Sequence, residues 1–319
     1  MKGARPVLVV LRALGLGDLL TAVPALRGLA GAFPHHRRLL AAPRVLAPLA
    51  RLTGAVDDVV DTAALAPLRL ATVPDVAVNL HGGGPQSHRV LLATRPRRLI
   101  AFAHPAVAGT AGAPRWDPEE HEVVRWCRLL GAHGIAADPE RLDLAPPPVT
   151  PPPAARGATL IHPGAASAAR RWPAERWAAV ARAETRAGRR VLVTAGSDET
   201  GLARRVAGEA GLAAAAVHAG PGLPMLAALV AVAGRVVVGD TGVAHLATAL
   251  GTPSVVLFGP TPPARWGPPP GRRQHRVLWA GRQGDPHGAA PDAGLLAITV
   301  DEVVAALDAL EPAAARTAA

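Results

Sequence analysis

Arg235-Val-Val-Val-Gly-Asp240-Thr241-Gly242-Val-Ala-His245-Leu-Ala-Thr-Ala-Leu-Gly251-Thr-Pro253-Ser-Val-Val-Leu-Phe258-Gly259-Pro260-Thr261 reads as strand, turn, helix, turn and strand in one unbroken run. Val236 to Val238 form a β-branched stretch without a polar member, the pattern of a strand buried on both faces of a parallel sheet. Gly239 ends that stretch. Asp240 and Thr241 are both good helix N-caps, and from Gly242 the apolar positions Val243, Leu246, Ala247 and Leu250 follow helical spacing. Gly251 and Pro253 stop the helix before Ser254 to Phe258 resume a buried strand. A helix that starts at the C-terminal end of a parallel strand turns unpaired N–H groups, and the positive end of its dipole, toward the crevice where α/β proteins bind anions. The stretch thus predicts a phosphate site. The same residues would also make an ordinary capped helix of a βαβ unit, but His245, one turn in, and the Gly259-Pro260-Thr261 turn favour a ligand.

At 319 residues the chain has room for two domains, each with its own core, and half of it is hydrophobic, which excludes a disordered chain. The formal charge of +10 invites nucleic acid as a partner. That charge is almost wholly arginine scattered along an alanine-, proline- and glycine-rich chain, and at 3% aromatic content little is available for base stacking, so nucleic acid is excluded as a partner. A basic surface of this kind also suits anionic lipid or a diphosphate substrate. Cys127 is the single cysteine, so neither an intrachain disulfide nor a thiolate metal site is expected. The first strand is too short for a signal-peptide core, and the uncharged run from Ala210 to Gly234 is broken by Gly220, Pro221, Gly222 and Pro224. These features predict a cytoplasmic protein.

Outward from the decisive stretch, the N-terminal half opens with a strand over Val7 to Leu11, a glycine turn through Leu14-Gly15-Leu16-Gly17-Asp18, and a helix bearing Leu19, Leu20, Val23 and Leu26 that Pro24 should kink. Leu20 stands where a dinucleotide fingerprint needs its third glycine, and no acid follows a second strand at the required distance, which argues against NAD. Asp18 is either a plain first-turn acid or a carboxylate facing the crevice. Further strands are expected at Leu39 to Ala41, Asp58 to Val60, Val76 to Leu80 and Leu99 to Phe102, with helical material between them, and a helix spans His121 to Ile135 with Val124, Leu129 and Leu130 on its apolar side. His81, before Gly82-Gly83-Gly84, ends one strand at the crevice side. Six prolines between Pro146 and Pro153 form a stiff connector, so the boundary falls between residues 1–150 and 151–319. A second alternating series follows: strands at Thr159 to Ile161, Arg190 to Thr194 and Ala215 to His218, helices from Ala174, Asp198 and Leu223, and a terminal helix over Asp301 to Leu310 with a frayed tail after Pro312. The arginines of Arg170-Arg171-Trp172-Pro173 are a solvated pair on their composition alone. The glycine-rich segment Gly271 to Gly294 yields no reading.

Asp240-Thr-Gly-x-x-His245, followed by Gly251-Thr-Pro253 and Leu257-Phe-Gly-Pro-Thr261, resembles the nucleotide-sugar site of glycosyltransferase family 9, the heptosyltransferase-like enzymes. The N-terminal Arg12-x-x-x-x-Gly17-Asp18-x-x-x-x-x-Pro24-Ala25-Leu26, the Arg97-Arg98 approach to a strand and Arg265-Trp266-Gly-Pro are similar to the same family, so the resemblance spans nearly the whole chain. It implies two Rossmann-like doubly wound α/β domains facing across a cleft, the GT-B arrangement, with the N-terminal domain on the acceptor side and the C-terminal one binding the nucleotide sugar. It further implies Asp18 as catalytic base, Arg170 in the place of a family lysine that offsets donor phosphates, Glu199 against the nucleoside, and Asp240, Thr241, Gly242, His245, Gly259, Pro260 and Thr261 around the donor. Arg12, Gly17 and His81 fall on the acceptor side. The expected activity is inverting, metal-independent transfer of a sugar, for which heptose is a candidate, from a nucleoside diphosphate, ADP by preference, to a hydroxyl of a glycan or glycolipid in cell-envelope polysaccharide synthesis. The protein would need no cofactor beyond the donor, and could work peripherally at the inner face of the membrane. Arginine at 170 and the lack of the cysteines that many members carry near the C-terminus are departures. A sugar-nucleotide epimerase of similar architecture, distinguished by product formation without acceptor, and a non-catalytic nucleotide-sugar sensor, which would tolerate loss of Asp18, are the alternatives.

Overall fold

The computed structural model describes residues 5–310, so the tail after Pro312 lies outside the described residues. The chain divides into two compact units between Ala145 and Pro146. The first unit runs β1 (Val7–Leu11), α1 (Leu16–Thr21), α2 (Val23–Ala32), β2 (Arg37–Ala42), α3 (Ala47–Leu52), β3 (Asp58–Asp61), β4 (Val76–Asn79), α4 (Gln86–Leu92), β5 (Arg98–Ile100) and α5 (Glu122–Gly131). Its strands form one parallel sheet in the order β3-β2-β1-β4-β5, with Val9 opposite Leu39 on one side and Ala77 on the other. β1 is central and covered on both faces, which is why it can be apolar at every position. Between α1 and α2 the helix breaks at Ala22. Pro24 has no N–H to give Leu20, so it sits in the first turn of a new helix, where none is needed.

Two sequence expectations fail in this unit. Residues 62–75, between β3 and β4, contain no helix; Pro67 and Pro74 interrupt the segment, and it crosses the sheet as a loop with Leu68 and Leu70 half-buried against the core. Val124 is 44% exposed, because the buried stripe of α5 runs through Val123, Trp126 and Leu130 at spacings of three and four.

The second unit runs β6 (Thr159–His162), α6 (Ala174–Arg186), β7 (Val191–Ala195), α7 (Thr200–Glu209), β8 (Val217–Ala219), α8 (Gly222–Val232), β9 (Arg235–Gly239), α9 (Gly242–Ala249), β10 (Ser254–Phe258), α10 (Pro263–Trp266), β11 (His275–Trp279), α11 (Ala293–Ala297) and α12 (Val300–Asp308). All six strands are parallel, in the order β11-β10-β9-β6-β7-β8. Trp172 and Trp177 meet edge to face at 5.0 Å in the core under α6 and α12, and their indole N–H groups donate to the carbonyls of Ile298 and Trp172. α12 is fixed at its start by a capping box between Thr299 and Glu302. β11 falls in the segment that yields no sequence reading: it is an edge strand that starts with His275 and Arg276 and is mostly half-buried, so it lacks the apolar run of the central strands. Among the described residues, no helix is long and apolar enough to cross a membrane.

In each sheet the order reverses once, between β1 and β4 in the first unit and between β6 and β9 in the second. At such a reversal the two flanking connections leave in opposite directions, which opens a crevice at the C-terminal ends of the strands. These two edges are therefore where ligand chemistry is to be sought.

Candidate functional site

In the first unit the edge is organised by Arg12, which directly follows β1 and is only 1% exposed. Its Nε donates to the Asp18 carbonyl (2.9 Å), Nη2 donates to Glu122 Oε1 (2.8 Å) and Thr21 Oγ1 (3.2 Å), and Nη1 donates to the Leu80 carbonyl. One guanidinium thus joins α1, the end of β4 and the start of α5, with its carbon 4.9 Å from the centre of the Trp126 ring. A buried cation is tolerable only when paired and hydrogen-bonded, and Glu122 supplies the pair. Glu122 is itself buried and also accepts from Trp126 Nε1 (2.9 Å) and from Arg125 Nη1. Burial pushes its carboxyl up, but Arg12 and then Arg125 outweigh that and hold it below the usual carboxylate range.

Asp18 lies over this network. Its Oδ2 accepts from the Gly15 N–H (3.0 Å), its Oδ1 is 3.3 Å from Arg12 Nη2, and a quarter of the side chain remains open to solvent. Gly17 contributes backbone only, its carbonyl accepting from Thr21 Oγ1 at 3.0 Å. His81 follows β4 on the same edge. Its N–H donates to Asn79 Oδ1 (2.9 Å), and Nδ1 is buried with no hydrogen-bond partner among the described residues. Burial, and after it the charge of Arg12, lowers the His81 pKa against the opposing pull of Asp18, so the ring is neutral near pH 7. Arg12, Asp18 and His81 are therefore gathered into one cluster, with Arg12 as its buried frame.

In the second unit Thr241, not Asp240, caps α9: its Oγ1 accepts from the Val243 N–H at 3.4 Å. Asp240 points inward, and burial pushes its carboxyl up to about 6 despite the opposing charge of Arg170. Arg170, in the connection after β6, reaches across to the end of β9, where Nη1 donates to the Asp240 carbonyl (3.0 Å) and lies 3.9 Å from Oδ2. Its Nε is buried without a hydrogen-bond partner among the described residues. The arginine pair that composition alone would leave in solvent thus places one cation beside the first turn of α9, at the positive end of its dipole. His245 meets Trp266 of α10 edge-on, with centroids 5.8 Å apart.

Glu199 stands after β7, beside Gly164 of the connection after β6; Arg171 Nη2 is 3.8 Å from its Oε1. Asp198 accepts from Ser197 Oγ (3.1 Å), and α7 starts at Thr200 with no side-chain cap. Gly259 passes so close to its surroundings that a Cβ would lie 2.9 Å from Leu295 Cβ, which explains the glycine in the Gly-Pro-Thr turn. The segment that yielded no sequence reading laces this edge together. Trp279 Nε1 donates to the Gly259 carbonyl (3.1 Å), Gly284 N–H to Pro260 O (3.0 Å), Ala169 N–H to Gly288 O (3.1 Å) and Asp292 N–H to Ala169 O (3.1 Å). Sequence reasoning missed this role, and those of Glu122, Arg125 and Arg171, because most of the bonds are to backbone or span long separations that no local pattern records. Among the described residues there is no group of three or more His, Cys, Asp or Glu side chains that could hold a metal.

The family pattern described as glycosyltransferase family 9 (heptosyltransferase) matches residues 117–292. That match contains every donor-side residue named above, while Arg12, Asp18 and His81 precede it. No curated protein matches the sequence. Among solved structures, the chain is similar to a family 9 glycosyl transferase from Veillonella parvula (TM-score 0.77, 18% identity, covering 97% of this chain and 98% of that one). It is also similar to the E. coli ADP-heptose LPS heptosyltransferase II (TM-score 0.73, 20% identity, 95% and 98% covered) and to the E. coli heptosyltransferase WaaC with ADP (TM-score 0.70, 19% identity, 94% and 98% covered). At these identities the structural likeness establishes the fold, an α/β two-domain GT-B architecture.

Proposed function

The chain belongs to glycosyltransferase family 9, the heptosyltransferase family, and from that premise we propose that it transfers a heptose-type sugar from an ADP-linked donor to a hydroxyl of a glycan or glycolipid acceptor. The observation that carries the donor half is Arg170 seated on the Asp240 carbonyl beside the first turn of α9. A leaving diphosphate needs positive potential where its charge develops, and a guanidinium next to the positive end of a helix dipole supplies it without a divalent ion. ADP bound to the structurally similar WaaC is the reason to prefer adenine. Glu199, after the second strand of its Rossmann unit, is where an acid takes ribose hydroxyls in such folds.

Asp18 is the base. Its carboxylate is oriented by Gly15 and Arg12 and keeps a solvent-open face, so an acceptor hydroxyl can deliver its proton to it as the oxygen attacks the anomeric carbon. Arg12 serves the acceptor side through Asp18, since its own N–H groups are engaged below, and the neutral His81 and the backbone of Gly17 line the same place. One displacement, with the base on the acceptor and no carboxylate nucleophile, inverts the anomeric centre. A glycolipid acceptor would bring the working protein to the inner face of the membrane. Asp18→Asn is the test: the variant should fold and bind nucleoside diphosphate as before while turnover falls by about 10² to 10⁴. Near-normal turnover in that variant removes Asp18 from this role.

A further inference from the structure

We infer that Arg171 is a positioning residue that sets the Glu199 carboxylate to accept ribose hydroxyls, and that Gly164 provides the space in which that carboxylate sits. The inference rests on the donor-site reading above. Arg171 has two engagements that divide its fork: Nε donates to the Ala165 carbonyl at 2.8 Å, and Nη2 lies 3.8 Å from Glu199 Oε1. The first anchors the side chain to the connection after β6, so the second holds the carboxylate that follows β7 from a fixed point. Planar guanidinium geometry permits both at once.

Gly164 completes the arrangement. A Cβ at this position would lie 2.0 Å from Glu199 Oε2 and 2.4 Å from Cδ, so the carboxylate occupies the place a side chain would fill. Gly164 is outside the left-handed region, and what a methyl group would displace is the far end of a flexible side chain. Alanine there should fold normally and simply evict the carboxylate. The ion pair cannot be explained as a stabilising device. Arg171 is 46% exposed and the separation is long, and pairs of that kind contribute little to stability. Its effect is on direction: a carboxylate held at one end and confined at the other presents its remaining lone pairs at a defined place.

The test measures binding by calorimetry for ADP, GDP, UDP and CDP, and then for the tightest of these against its 2′-deoxy form. Wild type should prefer the ribose form by about tenfold or more, as a hydrogen bond to a charged acceptor implies, and Glu199→Ala should abolish that preference. Arg171→Met and Gly164→Ala should each reduce it by about three- to tenfold, with thermal midpoints unchanged and affinity for the deoxy form nearly constant. Arg171→Met placed on the Glu199→Ala background should add nothing. A wild-type ribose preference in Arg171→Met, or an equal loss on both backgrounds, overturns the inference while leaving the donor site standing. Failure of wild type to bind any of the four diphosphates would instead bring down the donor-site reading, and the inference with it.

Discussion

Replacing Glu122 with glutamine removes one charge from the frame under Asp18 without changing its shape. The carboxylate accepts from Arg12, Arg125 and Trp126, and its side chain and those of both arginines are at most 6% exposed. An amide offers one oxygen in place of two and turns an NH₂ donor toward donors, leaving two guanidinium groups short of negative charge. Breaking a buried pair from one side costs about 3–5 kcal/mol. With a urea slope of ~2 kcal/mol/M, the unfolding midpoint of the first unit should fall by about 2 M. Urea titration followed by far-UV circular dichroism checks this, with Glu120→Gln as the comparator. Glu120 pairs with Arg128 at 2.7 Å, but Arg128 is 37% exposed, so that loss should stay near ~1 kcal/mol. The pH dependence has a definite sign. Because Glu122 is held below its ordinary pKa in the folded state, its contribution is complete above about pH 4.5 and disappears as pH falls from there through the folded value. The gap between wild type and variant should narrow in that acid window. A gap under ~1 kcal/mol at neutral pH, or one that ignores acidification, refutes the account of Arg12 as a charge-balanced frame.

Asp240→Asn should act in the opposite direction on stability. Burial raises this carboxyl from the ordinary 3.8 to about 6, so its ionisation opposes folding by up to about 3 kcal/mol; relative to wild type, the variant should gain stability as pH rises from 3.8 to 6 and keep the gain above. Thermal melts over about pH 3.5–8 would show this, and nucleotide affinity should fall in the same protein. His245→Ala loses the edge contact with Trp266, worth about 0.5–1.5 kcal/mol, and should weaken nucleoside diphosphate binding; calorimetry giving an unchanged dissociation constant would remove His245 from the donor site.

Much of the architecture was legible because it rests on local pattern. Val236 to Val238 could only be a buried strand, and Pro24 had to divide a helix whose interior cannot lack an N–H. Period failed where shape is set by distant partners. Leu68 and Leu70 look like helical material but serve as the inward contacts of a loop, and β11 takes its place because Ser254 pairs with His275, a bond of 2.8 Å between side chains twenty-one residues apart. The site divides in the same way. Thr241 and Asp240 were equivalent as caps on paper, and only burial separates the one that caps from the one that is sealed beneath Arg170. Arg12 falls on the acceptor side in the sequence reading, and nothing in its neighbours announces a buried cation, since arginine is mostly exposed. Its 1% exposure follows from Glu122, 110 residues away, which no spacing rule connects to it.

The two sheet edges solve the same electrostatic problem with opposite signs. At β1 and β4 a buried guanidinium lies under an accessible carboxylate; at β6 and β9 a buried carboxylate lies under a partly accessible guanidinium. In each case the accessible group is the one the proposed transfer requires, a proton acceptor on one unit and a counter-charge for diphosphate on the other, and the buried partner lies against it. The two pairings are unequal. Arg12 is compensated by Glu122 from behind at 2.8 Å, so Asp18, 3.3 Å away, balances only part of its charge. Burial pushes the Asp240 carboxyl up to about 6, and among the described residues the charge of Arg170, 3.9 Å away, opposes this without overcoming it. At a separation of 3.9 Å that carboxyl attracts Arg170 without closing on it in a short ion pair, which on the proposed reading leaves the cation available to an incoming phosphate. Asp240→Asn removes the cost of burying a charge and, with it, the attraction on the guanidinium. The fold is therefore expected to strengthen and the site to weaken through the loss of one and the same charge.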